Sequence, residues 1–141
     1  MLEGAWTDFS VARVLEALPS DVRAHYQQWL VTYPDKSGRL EALVEQVQQL
    51  FRMAVASNPE NWTDPDPVKI PVTGYQHALN ILVFNLMMET GAQLVPEVYT
   101  LMTRADIWLR LVQRGSVTPS PRAGTMGSPS YVPPENPGLL L

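Results

Sequence analysis

Cysteine is missing from all 141 residues, so a disulfide framework and thiolate metal sites are excluded, while the compartment is left open. Histidine is almost as scarce: His25 and His77 are the two copies, and neither has a partner at ligand spacing. HEXXH, CXXC, GXSXG and P-loop patterns do not occur. No catalytic residue, cofactor or metal is therefore assigned, and the chain is read as non-enzymatic. Charge is thin, at 17% of residues and a net −4. A protein that coats nucleic acid normally carries a basic footprint, and this balance argues against one, though not against a channel through which DNA merely passes. No hydrophobic run approaches the ~20 residues that span a bilayer. The opening MLEGAWTDFS has no basic region followed by an apolar stretch, so no signal peptide and no membrane contact are expected. What is plentiful is apolar side chain, at 45%, and that surplus has to be covered by protein.

Helical periodicity accounts for most of the chain up to Gly115. Phe9, Val11, Val14, Leu15 and Leu18 predict a short first helix, capped by Thr7 or Asp8 and ended by Pro19. Ser20 is the expected cap of a second helix, with Asp21 in its first turn, where the dipole favours an anion. Val22, His25, Tyr26, Trp29 and Leu30 fall on one of its faces. YPDKSG, residues 33–38, is turn-forming. The third helix has the clearest stripe: Leu40, Leu43, Val44, Val47, Leu50, Phe51 and Ala54 against a polar face of Glu41, Glu45, Gln48, Gln49 and Arg52. It ends near Ser57-Asn58-Pro59.

The stretch NPENWTDPDPVKIP, residues 58–71, holds four prolines in fourteen positions, which excludes regular helix or a central strand. A connection of this length in a small domain is usually functional or ordered by a partner. Trp62 and Ile70 are the apolar pegs expected to hold it down. Thr73 is the predicted cap of a fourth helix, and Gly91 suits its left-handed C-terminal position. Between Ile81 and Met88 only Asn85 is polar, so this helix has to be buried by the rest of a bundle or by a neighbouring subunit. Pro96 fits the first position of a fifth helix beside Glu97. Its core stripe is Val98, Leu101, Met102, Ala105, Trp108, Leu109 and Val112. Arg110 and Arg114 suit its last turn and Gly115 its end.

These signals give an all-α class: a small bundle of four to five helices in residues 1–115, with a long proline-rich loop. Residues 116–141 form a separate Pro/Gly/Ser-rich C-terminal arm. Six prolines, three glycines and four serines in 26 residues leave no periodicity, so no packed structure of its own is expected there. The arm nevertheless carries Tyr131-Val132 and Leu139-Leu140-Leu141. Two readings stand: a disordered tail, or an extended arm whose apolar anchors dock on another subunit and order on binding.

Other chemistry is weak. His77, before an apolar helix, is expected to hydrogen-bond within the fold. Asp64 and Asp66 flank Pro65, but calcium takes 6–8 oxygen ligands, so a solvated turn is the better reading. SVARVLEALPSDVRAHYQQWL has a helix–turn–helix outline, yet its second helix offers Arg23 alone as a strong DNA contact, where several are needed. Met53, Met87, Met88 and Met102 at helical positions read as core filler.

The order of elements carries a resemblance. A third helix leads into VKIPVTGYQHALN, then into an apolar helix ending ETG, then into a helix closing with ADIWLRLVQRG. Over residues 39–115 this order resembles the small helical head–tail connector, or adaptor, proteins of tailed bacteriophages. Their last helix has the pattern A-x-x-W/L-L-x-x-(V/I)-x-x-G, matched here by Ala105, Trp108, Leu109, Val112 and Gly115. The run LNILVFNLMMETGAQLVPEVYTLMTRA is also similar to the tail accessory proteins of short-tailed phages. The resemblance implies a structural virion protein without cofactor, assembled in the host cytoplasm and resident at the head–tail interface. It implies a homo-oligomeric ring of twelve copies under the portal protein, which extends the DNA channel and docks the next tail component. DNA would pass through without sequence-specific binding, and a C-terminal arm would reach the portal or a neighbouring copy.

Candidate subunit or portal contacts on this reading are Trp62, Ile70, Phe84, Met88, Tyr131, Val132, Leu139, Leu140 and Leu141. Acidic positions Glu41, Glu45, Glu60, Asp64 and Asp66 are candidates for exposed faces. A stand-alone helical interaction module or assembly chaperone is the alternative, and a DNA-binding regulator using the first two helices is a third.

Overall fold

The computed structural model describes residues 6–119. Their order is β1 (Trp6–Asp8), α1 (Val11–Ala17), α2 (Ser20–Thr32), a 3-10 turn (Pro34–Lys36), α3 (Arg39–Ala56), β2 (Lys69–Pro71), a second 3-10 turn (Val72–Gly74), α4 (Tyr75–Thr90) and α5 (Pro96–Arg114). The fold is a small all-α bundle of five helices. One two-stranded antiparallel ribbon is added to it: Trp6 lies opposite Pro71, Thr7 opposite Ile70 and Asp8 opposite Lys69. Proline is tolerated there because an edge strand does not need every N–H.

The ribbon corrects the first cap. Thr7 and Asp8 are extended in β1, and Ser10 caps α1, its Oγ accepting from the Arg13 N–H at 3.5 Å. Two further expected caps shift by one residue each. Ser20 is already helical, with Pro19 in the cap position, and Thr73 lies in the 3-10 turn, with Gly74 before α4. The C-terminal signals hold. Gly91 and Gly115 end α4 and α5 at φ 71° and 82°, in the left-handed region that glycine enters without steric cost. Pro96 opens α5, with Glu97 in its first turn.

The core is continuous and centred on α4, which packs against α2, α3 and α5. Ala78, Leu79, Ile81, Leu82 and Leu86 are buried, Val83, Phe84, Asn85 and Met87 half-buried, and Met88 exposed. The apolar helix is thus covered by its own chain on most of its circumference, so the burial that the sequence left open to a neighbouring subunit is largely intramolecular. Helix α5 closes it through the buried Ala105, Leu109 and Val112. Fully burying each large apolar side chain contributes about 1.5–3 kcal/mol, and Leu82, Leu86, Val47 and Phe51 are all at 1% exposure or below.

Helix α3 departs from its predicted stripe at two positions. Gln48 is buried, its Nε2 donating to the Phe9 carbonyl at 2.6 Å, while Leu50 is 41% exposed. A buried amide is tolerated when its hydrogen bond is made, and two residues along a helix are ~200° apart. Gln48 and Leu50 thus lie on opposite sides of α3.

The proline-rich loop is fastened to its own chain. Arg52 reaches back from α3, and its guanidinium donates to the carbonyls of Asp64, Asp66 and Lys69 while lying 5.3 Å from the Trp6 ring centre. Asn61 is buried and donates from Nδ2 to the Val55 carbonyl. Asp64 and Asp66 each accept a backbone N–H two residues on, the Asx-turn arrangement. Hydrogen bonds within the chain hold this segment at each of these points.

Candidate interaction surfaces

Among the described residues no three His, Cys, Asp or Glu side chains cluster in a way that could hold a metal ion, and none of their helices is long and apolar enough to cross a membrane. The two histidines are far apart in role. His25 is exposed, with Nε2 3.3 Å from the Thr90 carbonyl. His77 stacks on Trp108 with ring centres 5.4 Å apart. Its Nδ1 is buried without a hydrogen-bond partner, so the internal hydrogen bond expected for it is not made there. Burial pushes its pKa below the ordinary imidazole value, because an apolar setting disfavours the charged ring. The aspartates of the loop have carboxylate oxygens engaged by backbone N–H groups, which agrees with the turn reading.

The arginine of α2 that the DNA reading rested on is engaged within the chain. Arg23 turns inward: its Nη2 donates to the Leu18 carbonyl at the end of α1, at 3.2 Å, and its Nε is buried. The strongest candidate contact of α2 is thereby occupied in closing the α1–α2 junction.

What the chain does present is apolar surface. A groove of about 470 Å³ runs between the α1–α2 junction and the start of α5, over one side of α4. Leu79, Val83 and Met87 contribute from α4, and Val95, Val98 and Leu101 from the entry and first turns of α5. Two ionisable groups line it, Asp21 and Glu97. Both are exposed acids in the first turns of their helices. A shallower hollow of about 400 Å³ lies between α3 and α4 and includes Leu43, Phe84 and Met88. It is bridged by an ion pair in which Arg39 donates Nε and Nη2 to the two carboxylate oxygens of Glu89, both at 3.1 Å. This two-pronged contact raises the Arg39 pKa and lowers that of Glu89.

The contact residues proposed from sequence separate accordingly. Met88 is 59% exposed. Phe84 is half-buried and meets Tyr99 edge-to-face at 5.6 Å. Trp62 is half-buried against Trp6 at 6.0 Å. Ile70 is corrected: at 0% exposure its side chain belongs to the chain's own core cluster and offers no surface to a neighbour. Tyr131, Val132, Leu139, Leu140 and Leu141 lie outside the described residues. Of the acidic positions, Glu41, Glu45 and Glu60 are exposed, and Asp64 and Asp66 half-buried.

Sequence reasoning missed Val83, Val95, Tyr99 and Ile107. Val95, Tyr99 and Ile107 are 46%, 51% and 49% exposed. Ile107 was the most findable. It stands off the α5 core stripe, three residues from Arg104 and three from Arg110, where a polar residue would be expected. No family model, curated protein or solved structure matches this chain.

Proposed function

We propose that this chain is a structural virion subunit, a head–tail connector that assembles as a ring between portal protein and tail, lengthens the DNA channel and docks the next tail component. One observation carries the reading: the helical core is closed within the chain, yet large apolar side chains remain outward on separate faces, among them Met88, Val95, Tyr99 and Ile107. Together with the contiguous apolar groove along Val83, Met87, Val95 and Leu101, they make the kind of surface that marks contact with other protein. A closed ring of identical subunits requires two different faces on each copy. The order of α3, proline loop, α4, glycine turn and proline-started α5 supports the connector resemblance. A net charge of −4 suits a wall along which DNA slides, since phosphate affinity comes from basic contacts. The inward Arg23 disfavours the DNA-regulator reading.

The test is the composition of purified phage particles. Peptides of this chain are expected in mature virions at a fixed multiple of the portal subunit. A chain present in infected cells and missing from mature particles is an assembly chaperone, and the connector reading is then wrong.

A further inference from the structure

We infer that copies of this chain join head to tail by seating the outer face of one α5, centred on Ile107, in the α2–α5 groove of the next copy. The contact rests on the ring reading above and names its two faces. The groove is apolar along Val83, Met87, Val95 and Leu101, and the ionisable groups lining it are two acids, Asp21 and Glu97, with no base. The opposite surface has the complementary make-up. Ile107 is half exposed and lies among Arg104, Arg110 and Arg114, all exposed, against one carboxylate, Asp106, which pairs with Arg110 at 2.7 Å. Arg104 and Arg114 make no ion pair among the described residues, and neither do Asp21 and Glu97. An apolar knob rimmed with positive charge thus faces an apolar groove rimmed with negative charge. Such complementarity selects one partner and one register.

The two surfaces cannot meet within one copy. Val98 and Ile107 are nine residues apart on α5, which is about 2.5 helical turns. Their side chains therefore point to opposite sides of the same helix, offset by roughly 14 Å along its axis. A knob on one side and its groove on the other give a heterologous contact, which propagates and closes into a ring when the rotation per copy allows. A two-fold dimer with knob and groove exchanged would need both on one side of the copy, so here it could only set groove on groove or knob on knob.

The absence of cysteine makes a crosslinking test clean. The full chain is prepared with Val95→Cys, with Ile107→Cys, and with both, and each is treated with a short bismaleimide linker, in concentrated solution and in assembled particles. The expected result is a ladder of linked multimers from the double variant and monomers from each single variant. Arg104→Glu with Arg110→Glu, placed in the double-cysteine chain, should reduce the ladder at least tenfold. Mixing single variants that carry Asp21→Lys with Glu97→Lys on the groove side and the two Glu substitutions on the knob side should restore linked dimers. Circular dichroism on each variant checks that the helices survive. A dimer from either single variant means a two-fold contact and overturns the inference. So does a link between V95C and L140C in place of I107C, which would put the arm in the groove. If particles contain a ring of this chain but the double variant gives no ladder in them, the contact is wrong and the ring stands. If particles lack the chain, both fall.

Discussion

The close approach at Gly74 sets up a sharp test of the packing. A Cβ built there would lie 2.7 Å from Trp108 Cη2, 3.0 Å from Cζ3 and 3.1 Å from Phe51 Cδ2. Comfortable carbon contacts are ~3.5–4.0 Å, so the methyl of Gly74→Ala overlaps the indole by most of an ångström. The half-buried ring is held by its neighbours: it is stacked on Phe51 at 5.7 Å and on His77 at 5.4 Å, and Phe51 is fully buried. Overpacking of this sort costs roughly 1–3 kcal/mol. The backbone offers a partial offset, since φ at Gly74 is −97°, which alanine adopts freely. Restricting the unfolded chain then returns about 0.4–1 kcal/mol. The net expectation is a loss of about 1–2 kcal/mol. For a domain of this size that lowers Tm by about 4–8 °C. Urea unfolding followed by tryptophan fluorescence measures it, with circular dichroism as the second probe. Trp108→Leu should absorb much of the penalty, so the double mutant should lose clearly less than the sum of the singles. A Gly74→Ala protein as stable as the parent would show that the α3–α4–α5 junction is looser than described.

Four further outcomes are expected. Arg52→Met removes the donor shared by the Asp64, Asp66 and Lys69 carbonyls and should cost about 1.5–3 kcal/mol, the range for charge-assisted bonds; limited proteolysis should then cut first within residues 58–68, and an unchanged pattern would contradict the role. Because burial lowers the folded pKa of His77, the unfolded chain takes up a proton first as pH drops below the ordinary ~6.5. Stability should therefore fall from that pH downward until the native ring also titrates, and in His77→Phe this slope should be lost from urea midpoints measured between pH 7 and 5. Gly91→Ala forces a side chain to φ 71° in open space and should destabilise by about 1–2 kcal/mol in the same urea assay. Deleting residues 131–141 should leave the helical circular dichroism per mole nearly unchanged while reducing incorporation into particles; a large loss of helix would assign the arm to the core.

Legibility followed locality. Helix ends set by proline or glycine read correctly, because Pro96, Gly91 and Gly115 impose backbone geometry by themselves. Caps that depended on a distant partner did not. Thr7 and Asp8 looked like cap residues until β2, more than sixty positions later, took them into a ribbon. The α3 stripe was right except where a long-range bond decided: Gln48 is buried because Phe9 supplies an acceptor. The apolar run in α4 correctly marked the centre of the bundle, but composition could not say that α2, α3 and α5 would cover so much of it. The same limit applies to the surfaces. Ile70 looked like a peg and is one, whereas its second role as a contact depended on exposure it does not have. The groove was invisible in sequence because it joins residues 17–22, 76–87 and 93–101. The Ile107 knob, by contrast, stands in one helical stretch and could have been seen as an apolar residue among arginines.

The most direct test of the connector reading is an image reconstruction of the purified phage particle, focused on the vertex that carries the portal. The expected map shows a closed ring of this five-helix fold against the portal, coaxial with the DNA channel, with α5 of each copy against the α2–α5 groove of the next. Particles that are complete, infectious and empty of this chain at that vertex would contradict it.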